Sequence, residues 1–136
     1  MKKFKVIIVE NDEDEQFFMK EGFEAAGLFE IVAQVENGDE LIEWLNANPS
    51  SLPDVILSDL NMPGKNGYDI INEVTTNAAY AHIPVIITST SSTKTIIDKC
   101  LALGAADYLV KPDTFMDYLP YVQSLHQLIE GKQLVK

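Results

Sequence analysis

Five short runs of aliphatic and β-branched residues recur along this 136-residue chain, starting roughly every 25 residues, which is the repeat length of strand–helix units. The runs are residues 4–9, 31–35, 55–58, 85–88 and 108–110. Between them lie stretches with apolar residues at helical spacing, such as Ile96, Ile97 and Cys100. Alternating strands and helices joined by short loops predict an α/β fold, in which a parallel sheet is covered by helices on both faces.

The predicted architecture is (βα)5. Right-handed crossovers leave few topologies, and the doubly wound order 2-1-3-4-5 of flavodoxin-like folds fits five such units. We expect a single domain over residues 1–136 with its core at about 4–131. Gly27 and Gly104 are predicted helix ends, and the Ser and Thr run 88–93 offers N-caps for the fourth helix. Pro120 requires the last helix, near 114–130, either to begin near Tyr118 or to be kinked.

The charge balance excludes several partners. With 21 acidic and 10 basic residues the net charge is -11, which repels nucleic-acid backbones and anionic lipid surfaces. Cys100 is the single cysteine, so no internal disulfide can form and a reducing, cytoplasmic setting is expected. The chain shows neither a signal peptide nor the run of about 18 apolar residues that a membrane span needs. His82 and His126 have no evident partners and are expected at the surface.

Asp59 follows a buried apolar run in the segment DVILSDLNMPG, and turn chemistry comes directly after it. It therefore lies at the carboxyl end of the third predicted strand. In open parallel sheets this edge is where ligands bind. Position alone makes Asp59 the leading candidate for a functional residue.

The predicted strand order brings further acids to Asp59. The first and third strands are neighbours at the switch point, so Glu10, Asn11 and Asp12 come beside it. Two carboxylates about 5 Å apart repel by roughly 3 kcal/mol at an effective dielectric constant near 20, which favours binding of a cation. Oxygen ligands of this kind suit Mg²⁺ or Mn²⁺, and no His or Cys cluster suggests zinc.

Two more side chains reach the same edge. Lys111 follows the fifth strand and Ser89 follows the fourth. A carboxylate, a cation site, a lysine and a hydroxyl together predict a phosphoryl acceptor. Asp59 would attack phosphorus to form an acyl phosphate, Lys111 and the metal would neutralise charge, and Ser89 would hydrogen-bond the phosphoryl group.

Four motifs together resemble a response-regulator receiver domain of two-component signalling, of the stand-alone type: VIIVEND, DVILSDLNMPGKNG, IPVIITST and GAADYLVKP. The resemblance implies a cytoplasmic phosphorelay module that takes a phosphoryl group from a histidine kinase or histidine phosphotransfer protein onto Asp59, with Mg²⁺ as cofactor. Such a module is not a conventional enzyme but catalyses its own phosphorylation and dephosphorylation. The resemblance also implies that Asn61 offers its backbone carbonyl to the metal. Tyr108 would rotate inward as Ser89 moves, changing a face of the fourth helix, fifth strand and fifth helix that binds an unknown downstream protein.

Asn11 departs from the family pattern, which has a second acid at this position as a direct metal ligand. We expect Mg²⁺ to bind more weakly than in an ordinary receiver, with Asp12 offsetting part of the loss. The main alternative is a receiver-like interaction module that is impaired in phosphorylation. A haloacid-dehalogenase-like phosphatase is disfavoured because Asn61 stands where a general acid would be needed. A flavin-binding module is disfavoured because the loop after the first strand is acidic.

Overall fold

The computed structural model describes residues 3–135, which form a five-stranded parallel sheet flanked by helices. The elements, in chain order, are β1 (Phe4–Val9), α1 (Glu13–Ala26), β2 (Phe29–Val35), α2 (Gly38–Ala47), β3 (Val55–Asp59), α3 (Gly67–Thr75), β4 (Val85–Ser89), α4 (Lys94–Leu103), β5 (Asp107–Val110) and α5 (Tyr118–Gly131). The strand order is β2-β1-β3-β4-β5, with every neighbouring pair parallel. The predicted α/β fold and strand order are therefore confirmed. Within the described residues no helix has the length and apolar character to cross a bilayer.

β1 has the predicted bounds, and the other four strands are slightly longer than the sequence predicted. β2 begins at Phe29 because this ring is buried and its backbone pairs with Phe4 of β1. β3 and β4 each extend by one residue, so Asp59 and Ser89 are the last residues of their strands. Both side chains are therefore carried by the ladder of backbone hydrogen bonds, which fixes their positions more tightly than a loop would.

Two apolar layers cover the sheet, one on each face. The layer under α1 and α5 contains strand residues Val6, Ile8, Val55, Leu57 and Leu109, and the layer under α2, α3 and α4 contains Ile7, Val9, Ile56, Val85 and Ile87. Successive side chains on a strand point to opposite faces. Residue 10 continues the series 6 and 8 of β1, residue 59 continues the series 55 and 57 of β3, and residue 111 follows 109 of β5. These three residues therefore lie at the end of the layer shared with α1 and α5.

The helix ends largely follow the sequence signals. Gly27 and Gly104 adopt left-handed backbone, with φ of 66° and 113°, and end α1 and α4 as predicted. Thr93 is the N-cap of α4, but its side chain makes no capping hydrogen bond. α5 begins at Tyr118 after a 3₁₀ turn, so Pro120 falls in the first helical turn, where its missing N–H costs little. The prediction that the last helix begins near Tyr118 is thus confirmed.

His126 is buried, so its predicted surface position is wrong. Its ring centroid lies 5.2 Å from that of Phe4 and 5.6 Å from that of Phe29, and its Nδ1 is 3.1 Å from a Glu130 carboxylate oxygen. The inward stripe of α5 is wide enough to include position 126 beside Leu125, which the apolar pattern alone did not indicate. His82 is exposed, as predicted.

Gly22 allows α1 and α5 to pack closely. A Cβ at this position would stand 2.7 Å from Cβ of Tyr118 and 3.1 Å from its carbonyl carbon. Any larger residue would have to push α5 away from α1. The absence of a Cβ at Gly22 therefore permits the close packing of these two helices.

We expect Gly22→Ala to lower the free energy of unfolding by about 1–2 kcal/mol, because overpacking outweighs the better helix propensity of alanine. Urea denaturation followed by circular dichroism measures this. Gly131→Ala is the matched control, since a Cβ there has no atom within 4 Å. A variant Gly22→Ala as stable as Gly131→Ala would contradict the close-packing explanation.

Candidate functional site

Lys111 lies at the centre of a buried cluster of charges. Its Nζ is 2.8 Å from Oε1 of Glu10, 2.8 Å from Oε2 of Glu15 and 3.1 Å from Oδ1 of Asp59. Lys111 is 8% exposed, Glu10 1% and Asp59 7%. The structure thus brings together the three charged residues that the sequence singled out after the first, third and fifth strands, and adds a fourth.

A long side chain is needed to make this contact. β5 and β3 are separated by β4, so their backbones are about 10 Å apart. The lysine stem spans β4 and carries its ammonium group to the end of β3. Thr88 of β4 pairs with Asp59 on one side and with Leu109 on the other, and its hydroxyl donates to the carbonyl of Leu109 and accepts from Tyr121.

One oxygen of Asp59 is held and the other is not. Oδ1 accepts a hydrogen bond from the backbone N–H of Leu60 at 2.9 Å and also contacts Lys111. Within residues 3–135 no hydrogen bond or ion pair reaches Oδ2. Burial raises the pKa of the Asp59 carboxyl, while Lys111 opposes that rise. The carboxylate is fixed in orientation and keeps one oxygen available for a reaction.

The pKa values of Glu10 and Glu15 are shifted in opposite directions by their shared surroundings. Burial, helped by the hydrogen bond to Glu15, raises the pKa of Glu10 from 4.5 to about 8. Burial also acts to raise the pKa of Glu15, but hydrogen bonds to Glu10, Lys111 and Tyr118 together hold it below its usual value. Burial acts to lower the pKa of Lys111, yet its bonds to Glu10 and Glu15 raise it overall. The cluster therefore favours the charged forms of Lys111 and Glu15 and opposes ionisation of Glu10.

Glu15 is the site residue that the sequence did not single out, because its acidic side chain is also typical of the first turn of a helix. Its Oε1 lies 3.2 Å from the hydroxyl of Tyr118, whose pKa is raised by burial and which therefore donates. Its backbone N–H donates to Oδ1 of Asp12 at 3.0 Å. A usable signal was present, since Glu15 shares the buried face of α1 with Met19 and Gly22.

The remaining predicted metal ligands lie near the surface. Asn11, Asp12 and Asn61 are all exposed, and the Asp12 side chain caps α1. Within the described residues no three His, Cys, Asp or Glu side chains are arranged to hold a metal ion. Among the predicted ligands, Asp59 has one oxygen without a hydrogen bond or ion pair to the described residues, and the Asn11 amide and the Asn61 carbonyl stay predicted donors. These are hard oxygen ligands of the kind that Mg²⁺ and Mn²⁺ accept alongside water.

Ser89 and Tyr108 are both linked to the loop after β4. Oγ of Ser89 accepts from the backbone N–H of Ser91 at 3.2 Å, and the Tyr108 hydroxyl donates to the Ser91 carbonyl at 2.7 Å. Both side chains are buried. The ring of Tyr108 thus points inward and packs with the layer under α4. Its rotation between two positions stays a prediction.

The comparison with protein families agrees with this arrangement. The family model described as "Response regulator receiver domain" matches residues 6–121. The chain therefore belongs to the family of response regulator receiver domains of two-component signalling, as its motifs had indicated.

Individual relatives extend the match. The chemotaxis protein CheY1 of Helicobacter pylori is 31% identical over 110 residues, covering 81% of this chain and 86% of that protein. The two-component response regulator ARR3 of Arabidopsis thaliana is 31% identical over 94 residues, but these span only 41% of its length. Among solved structures, the phosphorylated cyanobacterial phytochrome response regulator RcpA has a TM-score of 0.82 at 26% identity and 96% coverage of both chains. The Mn²⁺-bound form of response regulator Rcp1 has a TM-score of 0.77 at 23% identity, covering 91% of this chain and 92% of that one.

The raised pKa of Glu10 predicts a pH-dependent stability in metal-free buffer. The contribution of its neutral form is fully present below the unfolded value near 4.5 and is lost as pH rises through about 8. Glu10→Gln stays neutral and keeps that contribution. Relative to wild type, the variant should gain about 1 kcal/mol or more between pH 5 and pH 9, measured from urea midpoints with a chelator present.

Glu13→Gln is the control, because this residue is exposed and makes the same change of charge. It should follow the wild-type pH profile. A stability difference between Glu10→Gln and wild type that stays constant from pH 5 to pH 9 would show that the Glu10 carboxyl titrates normally.

Proposed function

We propose that this receiver accepts a phosphoryl group on Asp59 from the phosphohistidine of a histidine kinase or a histidine phosphotransfer protein. The observation that carries the proposal is the state of the Asp59 carboxylate, with Oδ1 held by Leu60 and Lys111 and with Oδ2 uncommitted. A positioned carboxylate beside a permanently charged lysine has the two properties that phosphoryl transfer to an acid requires. The phosphorylated state of the neighbour RcpA supports the same chemistry.

In this reaction Oδ2 of Asp59 forms a bond to phosphorus while the bond from phosphorus to the donor histidine nitrogen breaks. The donor histidine, protonated on its second ring nitrogen before transfer, leaves as neutral imidazole, and the product is an acyl phosphate. Lys111 stays protonated throughout, because its pKa is raised, and its charge stabilises the oxygens of the transferring group. The Ser89 hydroxyl, at the end of the neighbouring strand, is the donor that we propose for a phosphoryl oxygen.

Mg²⁺ or Mn²⁺ is the proposed cofactor, and when bound it would neutralise charge on the phosphoryl oxygens. The residues that would hold it are Asp59, Asn11, the backbone carbonyl of Asn61, and Glu10, with Asp12 close by in the chain. Both Glu10 oxygens already accept hydrogen bonds, from Lys111 and from the Asp12 N–H. The Mn²⁺-bound state of the neighbour Rcp1 supports a divalent cation in this fold.

Signal output is proposed to pass through the face made by α4, β5 and α5, as the family resemblance implies. Leu101, Leu103 and Val110 are large apolar side chains on or beside this face and are about two-fifths exposed. The downstream partner would be a protein that reads a change near Tyr108. The buried single cysteine Cys100 suits the reducing cytoplasm, where we propose that the module acts.

The impaired-receiver alternative is not favoured. Asn11 was its only support, and the family match together with the assembled pair of Asp59 and Lys111 argues for an intact acceptor. The phosphatase and flavin alternatives gain no support either, since neither agrees with the family match.

If Asp59 accepts a phosphoryl group, the mass of the intact protein should increase. With Mg²⁺ and acetyl phosphate, or with a phosphorylated histidine donor, the intact protein should gain one phosphoryl group, and Asp59→Asn should gain none. Asp54→Asn is the control, because this carboxylate lies at the opposite end of β3 and accepts from the backbone of Lys5. If wild type gained no mass from either donor, the acceptor proposal would be wrong.

Weak Mg²⁺ binding is expected because Asn11 brings no charge to the proposed metal site. We expect Asn11→Asp to tighten Mg²⁺ binding about tenfold by isothermal titration calorimetry, which corresponds to about 1.4 kcal/mol for one added charge near a divalent ion. Asn72→Asp, an exposed change within α3, adds the same charge elsewhere and should leave the affinity within twofold. Equal affinities for Asn11→Asp and wild type would remove Asn11 from the metal site.

A further inference from the structure

The ammonium group of Lys111 already has three carboxylate partners: it donates hydrogen bonds to Glu10 and Glu15 and forms an ion pair with Asp59. A lysine ammonium group carries three N–H bonds, and here three carboxylates lie within 3.1 Å of it, those of Glu10, Glu15 and Asp59. A phosphoryl oxygen that binds Lys111 therefore competes with these carboxylates for the ammonium group. The identity of the competing group matters, because the Lys111 and Glu10 side chains are buried and that of Glu15 is only 20% exposed, so water screens these contacts weakly.

Glu15 differs from the other two carboxylates because helices, and not strands of the sheet, hold it in place. Its backbone lies in the first turn of α1, capped by Asp12, and its other carboxylate oxygen accepts from Tyr118 of α5. Tyr118 is itself held where Gly22 allows the two helices to touch. The carboxylate is therefore fastened at two points on the seam between α1 and α5, outside the sheet that carries Asp59.

We infer that Glu15 is a positioning residue that holds Lys111 and competes with the phosphoryl group on Asp59 for its ammonium, an inference that rests on the function proposed above. The negative charge of Glu15 also repels an incoming dianionic phosphoryl donor. Both effects act in the same direction, so Glu15 lowers the rate at which Asp59 is phosphorylated and the affinity for anions that mimic the phosphoryl group. Tyr118 controls this competition indirectly, by fixing where the Glu15 carboxylate lies.

A purely structural role for Glu15 makes a different prediction. If it served only to hold α1 against α5, its loss would loosen the whole site and weaken the binding of anions and cations together. Removal of a competing charge, in contrast, strengthens anion binding and leaves Mg²⁺ binding weaker or unchanged, because a divalent cation is attracted by the same charge. The two roles are therefore separated by the sign of the effect on anions.

Glu15→Gln is the decisive variant, since the amide keeps the shape and an oxygen acceptor but loses the charge. Glu13→Gln is the matched control, because it removes the same charge from the same exposed helical turn without contacting Lys111. We would measure beryllofluoride affinity at saturating Mg²⁺, the rate of phosphorylation by acetyl phosphate, and Mg²⁺ affinity alone. The expected result for Glu15→Gln is about three- to tenfold tighter beryllofluoride binding and faster phosphorylation, with no gain in Mg²⁺ affinity, for a charge change next to a site.

Two results would overturn the inference while the proposed function stands: phosphorylation and beryllofluoride binding equal to those of Glu13→Gln, or a parallel loss of anion and cation affinity. A wild-type protein that takes up neither phosphoryl group nor beryllofluoride would overturn the proposed function, and this inference with it. Should Glu15→Gln not fold, Tyr118→Phe provides the test. Tyr118→Phe removes the hydrogen bond from the Tyr118 hydroxyl to Glu15 without changing the charge. We expect it to raise the phosphorylation rate by less than Glu15→Gln would. A phosphorylation rate equal to that of wild type would contradict the competition.

Discussion

The buried ammonium group of Lys111 is the interaction on which the rest of this site depends. Burial of one isolated charge costs several kcal/mol, and removal of its partners would leave that cost uncompensated. Here the carboxylates of Glu10, Glu15 and Asp59 surround it, so that β1, β3, β5 and α1 meet at one atom. The same contacts that make the fold tolerate a buried lysine also orient the carboxylate that we propose as the phosphoryl acceptor.

The chemistry of the site is therefore coupled to helix packing as well as to the sheet. Tyr118 at the start of α5 contacts Glu15, and the absence of a side chain at Gly22 lets it approach. On the same face the Tyr121 hydroxyl donates to the hydroxyl of Thr88 in β4, the strand between β3 and β5. A shift of α5 would move the groups that hold Lys111, which gives a physical route between an outer helix and the reactive carboxylate.

Much of this arrangement was predictable from the sequence for simple reasons. Apolar runs marked the strands, and the helical segments between successive strands indicated parallel pairing. Because strand ends in a doubly wound sheet converge, the sequence was enough to expect Glu10, Asp59 and Lys111 at one edge. The errors have equally simple causes. β2 starts earlier because Phe29 pairs with Phe4, and His126 is buried because the inward stripe of α5 is wider than its aliphatic residues suggested.

The sequence by itself determined which residues lie at the ends of strands and on which face of the sheet, because both follow from the alternation of side chains along a strand and from the order of the strands. Only the tertiary structure decided that Glu15 belongs to the site. Its position depends on how closely α1 packs against α5 and how far the stem of Lys111 extends across β4. Contacts of this kind form between elements far apart in the chain, and no local pattern of residues specifies their distances.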